Sequence, residues 1–119
     1  MKYQIKRRFR FEAAHYLPKY DGACKNMHGH SYKLEVTLVA SELLNDMVFD
    51  FKDFKHLIHS KVVDQYDHQL LNDHFEVPTA ERMAETIFSI LSAYFKGTGT
   101  EVAKVELWET EDCSAIVTE

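Results

Sequence analysis

The class of fold is decided by the stretch Tyr3-Gln4-Ile5-Lys6-Arg7-Arg8-Phe9-Arg10-Phe11-Glu12-Ala13-Ala14-His15. Its apolar residues recur at every second position, which is typical of a β-strand with one buried face. Arg7 is the one charged residue on that face. We therefore predict a half-buried strand that ends, on its buried side, with His15.

A second alternating stretch runs from about His28 to Ala40. Side chains at alternate positions of a strand point to opposite faces of the sheet. One face is predicted to carry His28, His30, Tyr32, Leu34, Val36 and Leu38, and the other Ser31, Lys33, Glu35 and Thr37. The residues between the two strands, 18–27, contain Pro18, Asp21-Gly22 and Cys24 and are predicted to form a loop.

Two helices and two further strands complete the predicted order. Asp50 is placed to cap a first helix, and Pro78-Thr79 to open a second one that Gly97 ends. The apolar positions that carry these helices are Phe51, Phe54, Leu57, Ile58 and Val62, then Met83, Ile87, Ile90, Leu91, Tyr94 and Phe95. Strands near 102–109 and 114–118 follow. The order is β-β-α-α-β-β, an α+β fold with two helices on one face of an antiparallel sheet, in a single domain over 1–119.

Such a sheet has exposed edge strands, and edge strands invite pairing with another chain. Pairing between subunits, edge to edge, would close the sheet into a barrel and remove the edges. We therefore expect a homo-oligomer.

Composition excludes several classes of function. The formal net charge of -5 argues against a nucleic-acid-binding surface, and the basic run Lys6-Arg7-Arg8 with Arg10 is interpreted as a solvated strand face. No apolar run approaches the roughly 20 residues that span a bilayer, and the N-terminus does not resemble an export signal. Cys24 and Cys113 are therefore expected to be reduced thiols in a cytoplasmic protein.

The strongest chemical signal is His28-Gly29-His30. Both imidazoles point the same way on a strand, and Gly29 lets the backbone bend toward a shared ligand. His15 ends the neighbouring strand, so an antiparallel pairing brings all three together. Three neutral imidazoles without an obvious fourth ligand predict a catalytic Zn²⁺ site with an open position.

Other residues carry weaker signals. Cys24 precedes His28 by four positions and can be a zinc ligand, an inert residue or a thiolate base. Asp67-His68 pairs a carboxylate with an imidazole, but taken alone it is better interpreted as ordinary loop polarity. Glu109 is expected to point with the apolar face, as either a strained surface residue or an anchor for a guanidine-like ligand edge. Three further histidines, His56, His59 and His74, are interpreted as structural.

The combination of motifs resembles the 6-pyruvoyltetrahydropterin synthase / 6-carboxytetrahydropterin synthase family. The matching segments follow the family's order along the chain; they are Phe11-Glu12-Ala13-Ala14-His15, Cys24-Lys25-Asn26-Met27-His28-Gly29-His30, Asp50-Phe51, Tyr66-Asp67-His68-Gln69-Leu70-Leu71-Asn72, Pro78-Thr79-Ala80-Glu81 and Glu109-Thr110. Tyr66 departs from the Leu that many members carry there. The resemblance implies the tunnelling fold, in which trimeric barrels stack into a hexamer.

The resemblance also implies roles. His15, His28 and His30 match the zinc ligands, and Cys24 matches the catalytic cysteine. Asp67 and His68 match an acid/base pair that a neighbouring subunit supplies. Glu109 matches the pterin anchor, and Thr79 and Glu81 fall in a segment that lines the pocket. The cations that hold the triphosphate stay open, with Lys25 and Arg10 as candidates.

The bacterial branch of that family converts 7,8-dihydroneopterin triphosphate to 6-carboxy-5,6,7,8-tetrahydropterin, acetaldehyde and triphosphate, on the route to queuosine. Three residues separate Cys24 from His28, whereas the pyruvoyl-forming branch has a longer spacer, so the resemblance favours the carboxy branch. The alternatives are the sister reaction, which gives 6-pyruvoyltetrahydropterin, and a non-catalytic pterin- or metal-binding module. A non-catalytic module would have no use for Cys24 and Asp67-His68 beside an open zinc site, so their joint presence disfavours it.

Overall fold

The computed structural model describes residues 1–18, 22 and 26–119. Two long strands, β1 (Tyr3–His15) and β2 (His28–Ala40), pair antiparallel along their whole length. The sheet is completed by β3 (Gln69–Leu70), β4 (Thr100–Trp108) and β5 (Ser114–Val117). The strand order β3-β1-β2-β4-β5 leaves β3 and β5 at the two edges, so the sheet of the single chain is open.

The helical segments are α1 (Phe51–Ile58), a π-helical turn (His59–Val63), an α-helical turn (Asp64–Tyr66), a 3₁₀ turn (Leu71–Asp73) and α2 (Ala80–Phe95). As predicted, the Asp50 carboxylate caps α1 by accepting from the main-chain N–H groups of Lys52 and Asp53. Gly97, with a φ of 79°, follows the end of α2. Among the described residues, no helix is long and apolar enough to cross a membrane.

The predicted α+β class and element order are confirmed, with differences at the margins. β3 is an unpredicted strand, and it pairs parallel with β1. Its two residues are too few to show alternation. The expected helix stripes are also imperfect, because Phe51 and Tyr94 are 54% and 48% exposed. The core lies between the helices and the β1, β2 and β4 side chains that face them, such as Phe11, Leu34 and Leu107.

The helix-free face of the sheet holds a buried carboxylate. Glu35 is 2% exposed, and its oxygens lie 2.8 Å from Arg8 Nε and 3.4 Å from Lys104 Nζ. Burial raises the pKa of Glu35, whereas Arg8, Lys6 and Lys104 lower it. The three cations together outweigh burial, so the pKa of Glu35 lies below its usual value. Lys6 and Arg8 of the basic run are thus exposed on this face and pair with Glu35, whereas Arg7 points to the other face and donates to the Phe51 carbonyl.

Candidate metal centre and active site

The pairing of β1 with β2 brings three histidines to one end of the sheet. His15 is the register partner of His28, at the last step of the ladder, and Ala13 is the partner of His30. Because His28 and His30 are two residues apart, both rings point to the same face as His15. The strand alternation in the sequence therefore builds the cluster.

The three rings bring one nitrogen each to a common point, in a way that suits a metal ion. One ring nitrogen from each lies within 4.8 Å of the others, and the Nε2 atoms of His15 and His28 are 3.1 Å apart. His30 Nε2 is buried and makes no hydrogen bond. A buried ring nitrogen without a partner is costly unless a ligand satisfies it. The three-imidazole set therefore fits a Zn²⁺-type ion with a further position open.

Main-chain carbonyls fix which nitrogen of two histidines can bind a metal. His15 Nδ1 lies 2.8 Å from the Pro78 carbonyl oxygen, and His28 Nδ1 lies 2.7 Å from that of Asn26. A carbonyl only accepts hydrogen bonds, so each Nδ1 must carry the proton. The Nε2 atoms are then left with free lone pairs that face the centre of the cluster.

Glu109 follows the end of β4 and reaches the same cluster. Its Oε1 is 3.1 Å from His15 Nε2, whereas the 3.5 Å to His30 Nε2 is long for a hydrogen bond. The bond to Glu109 raises the pKa of His15, and the bond from His15 lowers the pKa of the Glu109 carboxyl. Burial lowers the pKa of His30. Without a metal, Glu109 as a carboxylate therefore stabilises a second proton on His15, at Nε2.

A cleft of about 320 Å³ adjoins Glu109 and is lined also by Glu81, Cys113 and Ser114. The predicted neighbourhood of Glu81 and Glu109 is thus present in one chain. Thr79 does not line this cleft. Its hydroxyl instead caps α2 by accepting from the main-chain N–H of Arg82, 3.2 Å away.

Asp67 and His68 lie beside the end of β1. The Asp67 carboxylate accepts from the Glu12 N–H at 2.9 Å, and the His68 N–H donates to the Glu12 carbonyl at 2.6 Å. The Glu12 N–H lowers the pKa of Asp67. His68 Nδ1 is 3.1 Å from the Asp67 carboxylate, and the His68 side chain is 78% exposed.

His68 lines a groove at the ends of β1 and β2 that is also lined by His30 of the metal cluster. Four residues that line this groove, Glu12, Ala14, Gly29 and Ser31, belong to the helix-free face. In the described part of the chain, His68 makes no hydrogen bond or ion pair with His15, His28 or His30. Within one chain, His68 and His30 thus line the same groove, but no bond among the described residues joins the Asp67-His68 pair to the metal cluster.

Cys24, the proposed catalytic thiol, lies outside the described residues, as does Lys25. Arg10 lies on β1 and is exposed. His56, His59 and His74 join no metal-capable cluster among the described residues. Three contributors to the site were not predicted. Two are the main-chain carbonyls of Asn26 and Pro78, whose positions no residue type indicates. The third is Asn72, the last residue of the segment Tyr66-Asp67-His68-Gln69-Leu70-Leu71-Asn72 that resembles the family.

Comparisons with known proteins agree with this geometry. A putative 6-carboxy-5,6,7,8-tetrahydropterin synthase of Archaeoglobus fulgidus is 39% identical, over 86% of this chain and 84% of its own. The Haemophilus influenzae 6-carboxy-5,6,7,8-tetrahydropterin synthase is 32% identical, over 91% of this chain and 93% of its own. The solved Caenorhabditis elegans 6-pyruvoyl tetrahydropterin synthase is 26% identical, with a TM-score of 0.83 over 100% of this chain and 96% of that one.

A sequence profile, described as 6-pyruvoyl tetrahydropterin synthase, matches residues 4–119. That match spans the metal cluster, the Asp67-His68 segment and Glu109, so it covers each part of the site described above. The chain belongs to the 6-pyruvoyl tetrahydropterin synthase family.

Proposed function

We propose that this protein converts 7,8-dihydroneopterin triphosphate and one water to 6-carboxy-5,6,7,8-tetrahydropterin, acetaldehyde and triphosphate, on the route to queuosine. The observation that carries the proposal is the His15, His28 and His30 cluster, which lies against Glu109, a residue that also lines a cleft with Glu81. Relatives that bear the name 6-carboxy-5,6,7,8-tetrahydropterin synthase, at 32% to 39% identity, favour this reaction.

His15, His28 and His30 would hold Zn²⁺ through their Nε2 atoms. The ion would supply Lewis acidity toward the substrate side chain, so that its carbon-bound protons become removable. Cys24 takes such a proton, and His68, oriented by Asp67, carries protons in or out.

Glu109 binds the aminopyrimidine edge of the pterin in this proposal. Once a metal takes the Nε2 lone pair of His15, that nitrogen has no proton to donate, and the 3.1 Å contact with Glu109 becomes unfavourable. The carboxylate then needs other donors. The N–H groups of an aminopyrimidine supply two in the geometry that a carboxylate accepts.

The sister reaction, which retains the side chain as a pyruvoyl group, is the second candidate. It is favoured by the fold match to the Caenorhabditis elegans protein of that name, at lower identity than the carboxy-forming relatives. The short spacer between Cys24 and His28 favours cleavage, because it sets how far the thiolate stands from the metal, and about 1 Å of displacement can change a rate a hundredfold.

Incubation with 7,8-dihydroneopterin triphosphate tests the proposal. Mass spectrometry should find a carboxylated pterin, and coupling to alcohol dehydrogenase should find acetaldehyde in amounts equal to the triphosphate released. Triphosphate without acetaldehyde, with a product that keeps three side-chain carbons, would establish the sister reaction. Binding of the substrate without any product would establish a non-catalytic module.

Glu109→Ala should weaken pterin binding by about 2–5 kcal/mol, because the donors of the bound pterin lose their charged partner. The metal content should stay unchanged, because Glu109 is not one of the three ligands. Calorimetric titration with dihydroneopterin and metal analysis measure the two effects. Glu101→Ala, an exposed carboxylate on β4, is the matched control. An affinity equal to that of the wild type would remove Glu109 from the pterin site.

A further inference from the structure

We propose that Asn72 is a positioning residue that holds the metal ligand His15 and ties it to the Asp67-His68 segment. The inference rests on the proposed function, since it takes His15 to be a ligand. Asn72 is half-buried in the 3₁₀ turn that follows β3, and it touches none of the three histidines in the contacts among described residues. Its effect must pass through the main chain.

The Asn72 side chain makes a two-point contact with Tyr16, the residue directly after His15. Its Oδ1 accepts from the Tyr16 N–H at 3.0 Å, and its Nδ2 donates to the Tyr16 carbonyl at 2.9 Å. A side-chain amide that binds both main-chain groups of one residue replaces the two hydrogen bonds that a neighbouring strand would make. Asn72 thus extends the pairing of β1 beyond β3.

That extension matters because both ladders of β1 end near His15. The pairing with β2 stops at His15 and His28, and the pairing with β3 stops at Ala14 and Leu70. Without Asn72, Tyr16 would lose the partner that the described residues provide for its main chain on the β3 side. The His15 ring is 1% exposed, so a small shift of its backbone moves Nε2 relative to His28 and His30.

The same segment carries the proposed acid/base pair. From Asp67 to Asn72 it is bonded along β1 at Glu12, Ala13, Ala14 and Tyr16. The bonds of Asn72 to Tyr16 are the last contacts at the end of this segment nearest His15, and the bond of Asp67 to Glu12 is the last contact at the other end. The metal ligand and the acid/base pair are therefore held at a fixed spacing on one rigid strip.

Asn72→Ala removes both hydrogen bonds, whereas Asn72→Asp keeps an acceptor for the Tyr16 N–H and loses only the donor. Thr100→Val is the matched control, since it removes a buried bond from a side chain to the Val48 carbonyl elsewhere in the fold. The measurements are Zn²⁺ affinity by chelator competition, the absorption spectrum of the Co²⁺-substituted protein, and thermal unfolding. Loss of such an outer partner typically weakens metal binding about 10–100-fold.

We expect Asn72→Ala to lower Zn²⁺ affinity by that factor and to alter the Co²⁺ spectrum, with a smaller change for Asn72→Asp and none for Thr100→Val. Wild-type affinity and spectrum in Asn72→Asp and in any folded Asn72→Ala would overturn the inference, as would an equal loss in Thr100→Val. His15→Ala distinguishes the two proposals. If His15→Ala itself keeps full Zn²⁺ affinity, the metal assignment fails, and this inference fails with it.

Discussion

Replacing Cys24 with Ala should lower turnover by about 10²–10⁴-fold, the usual contribution of a positioned base, while Zn²⁺ stays near one per subunit. The expectation follows from the donor set. In the proposed site, three histidines supply the ligands that catalytic zinc needs, which would leave the Cys24 thiolate free for proton transfer. A thiolate near a metal has a lowered pKa, which makes it a competent base at neutral pH. Turnover and metal analysis on the same preparation measure both quantities.

Cys113→Ala is the control for this experiment. Cys113 is exposed and lines the cleft beside Glu109, so it is a thiol near the proposed substrate position. Its replacement should leave turnover within a few-fold of the wild type, in line with a surface substitution that removes no reacting group. If Cys113→Ala loses turnover and Cys24→Ala keeps it, the base is assigned to the wrong cysteine. If Cys24→Ala loses Zn²⁺, Cys24 is a ligand.

The long strands could be predicted because their alternation is a local property of the sequence. The spacing of His28 and His30 on one strand, and the end position of His15 on the other, fix the metal cluster once the strands pair antiparallel. The one remaining unknown is the register. The buried faces exclude a slip by one residue, which would turn every apolar side chain to solvent, but a slip by two residues would keep those faces and is not excluded by the pattern.

The rest of the site depends on contacts between distant parts of the chain. The Pro78 carbonyl reaches His15 across 63 residues, and Asn72 reaches Tyr16 across 56. A main-chain carbonyl carries no residue type that a pattern can signal. Glu35 was predicted on the polar face, but its burial depends on cations from β1 and β4 that meet only in the folded sheet. Such tertiary contacts override local pattern.

Mixing two inactive chains, Cys24→Ala and His68→Ala, should restore activity if the active site is shared between subunits. The geometry motivates this prediction, because His68 is 78% exposed and makes no bond to the metal cluster of its own chain among the described residues. The open edges β3 and β5 offer surfaces on which a neighbour can pair. An exposed acid/base group beside such an edge can then serve the metal cluster of the next subunit.

The size of the recovery discriminates between the two arrangements. In a closed oligomer assembled at random from equal amounts of both chains, about a quarter of the sites combine an intact Cys24 with an intact His68 from the neighbour. The mixture should therefore regain about a quarter of the wild-type rate per site after subunit exchange, verified by mass spectrometry of the intact oligomer. The control is a chain that carries both substitutions, mixed with either single variant. Every site in that mixture lacks Cys24 or His68, so no activity should return. If exchange is complete and the two single variants still show no activity, each site draws Cys24 and His68 from the same chain. In that case the Asp67-His68 segment, whose His68 side chain is 78% exposed here, would have to move toward its own metal cluster and break its bonds to Glu12.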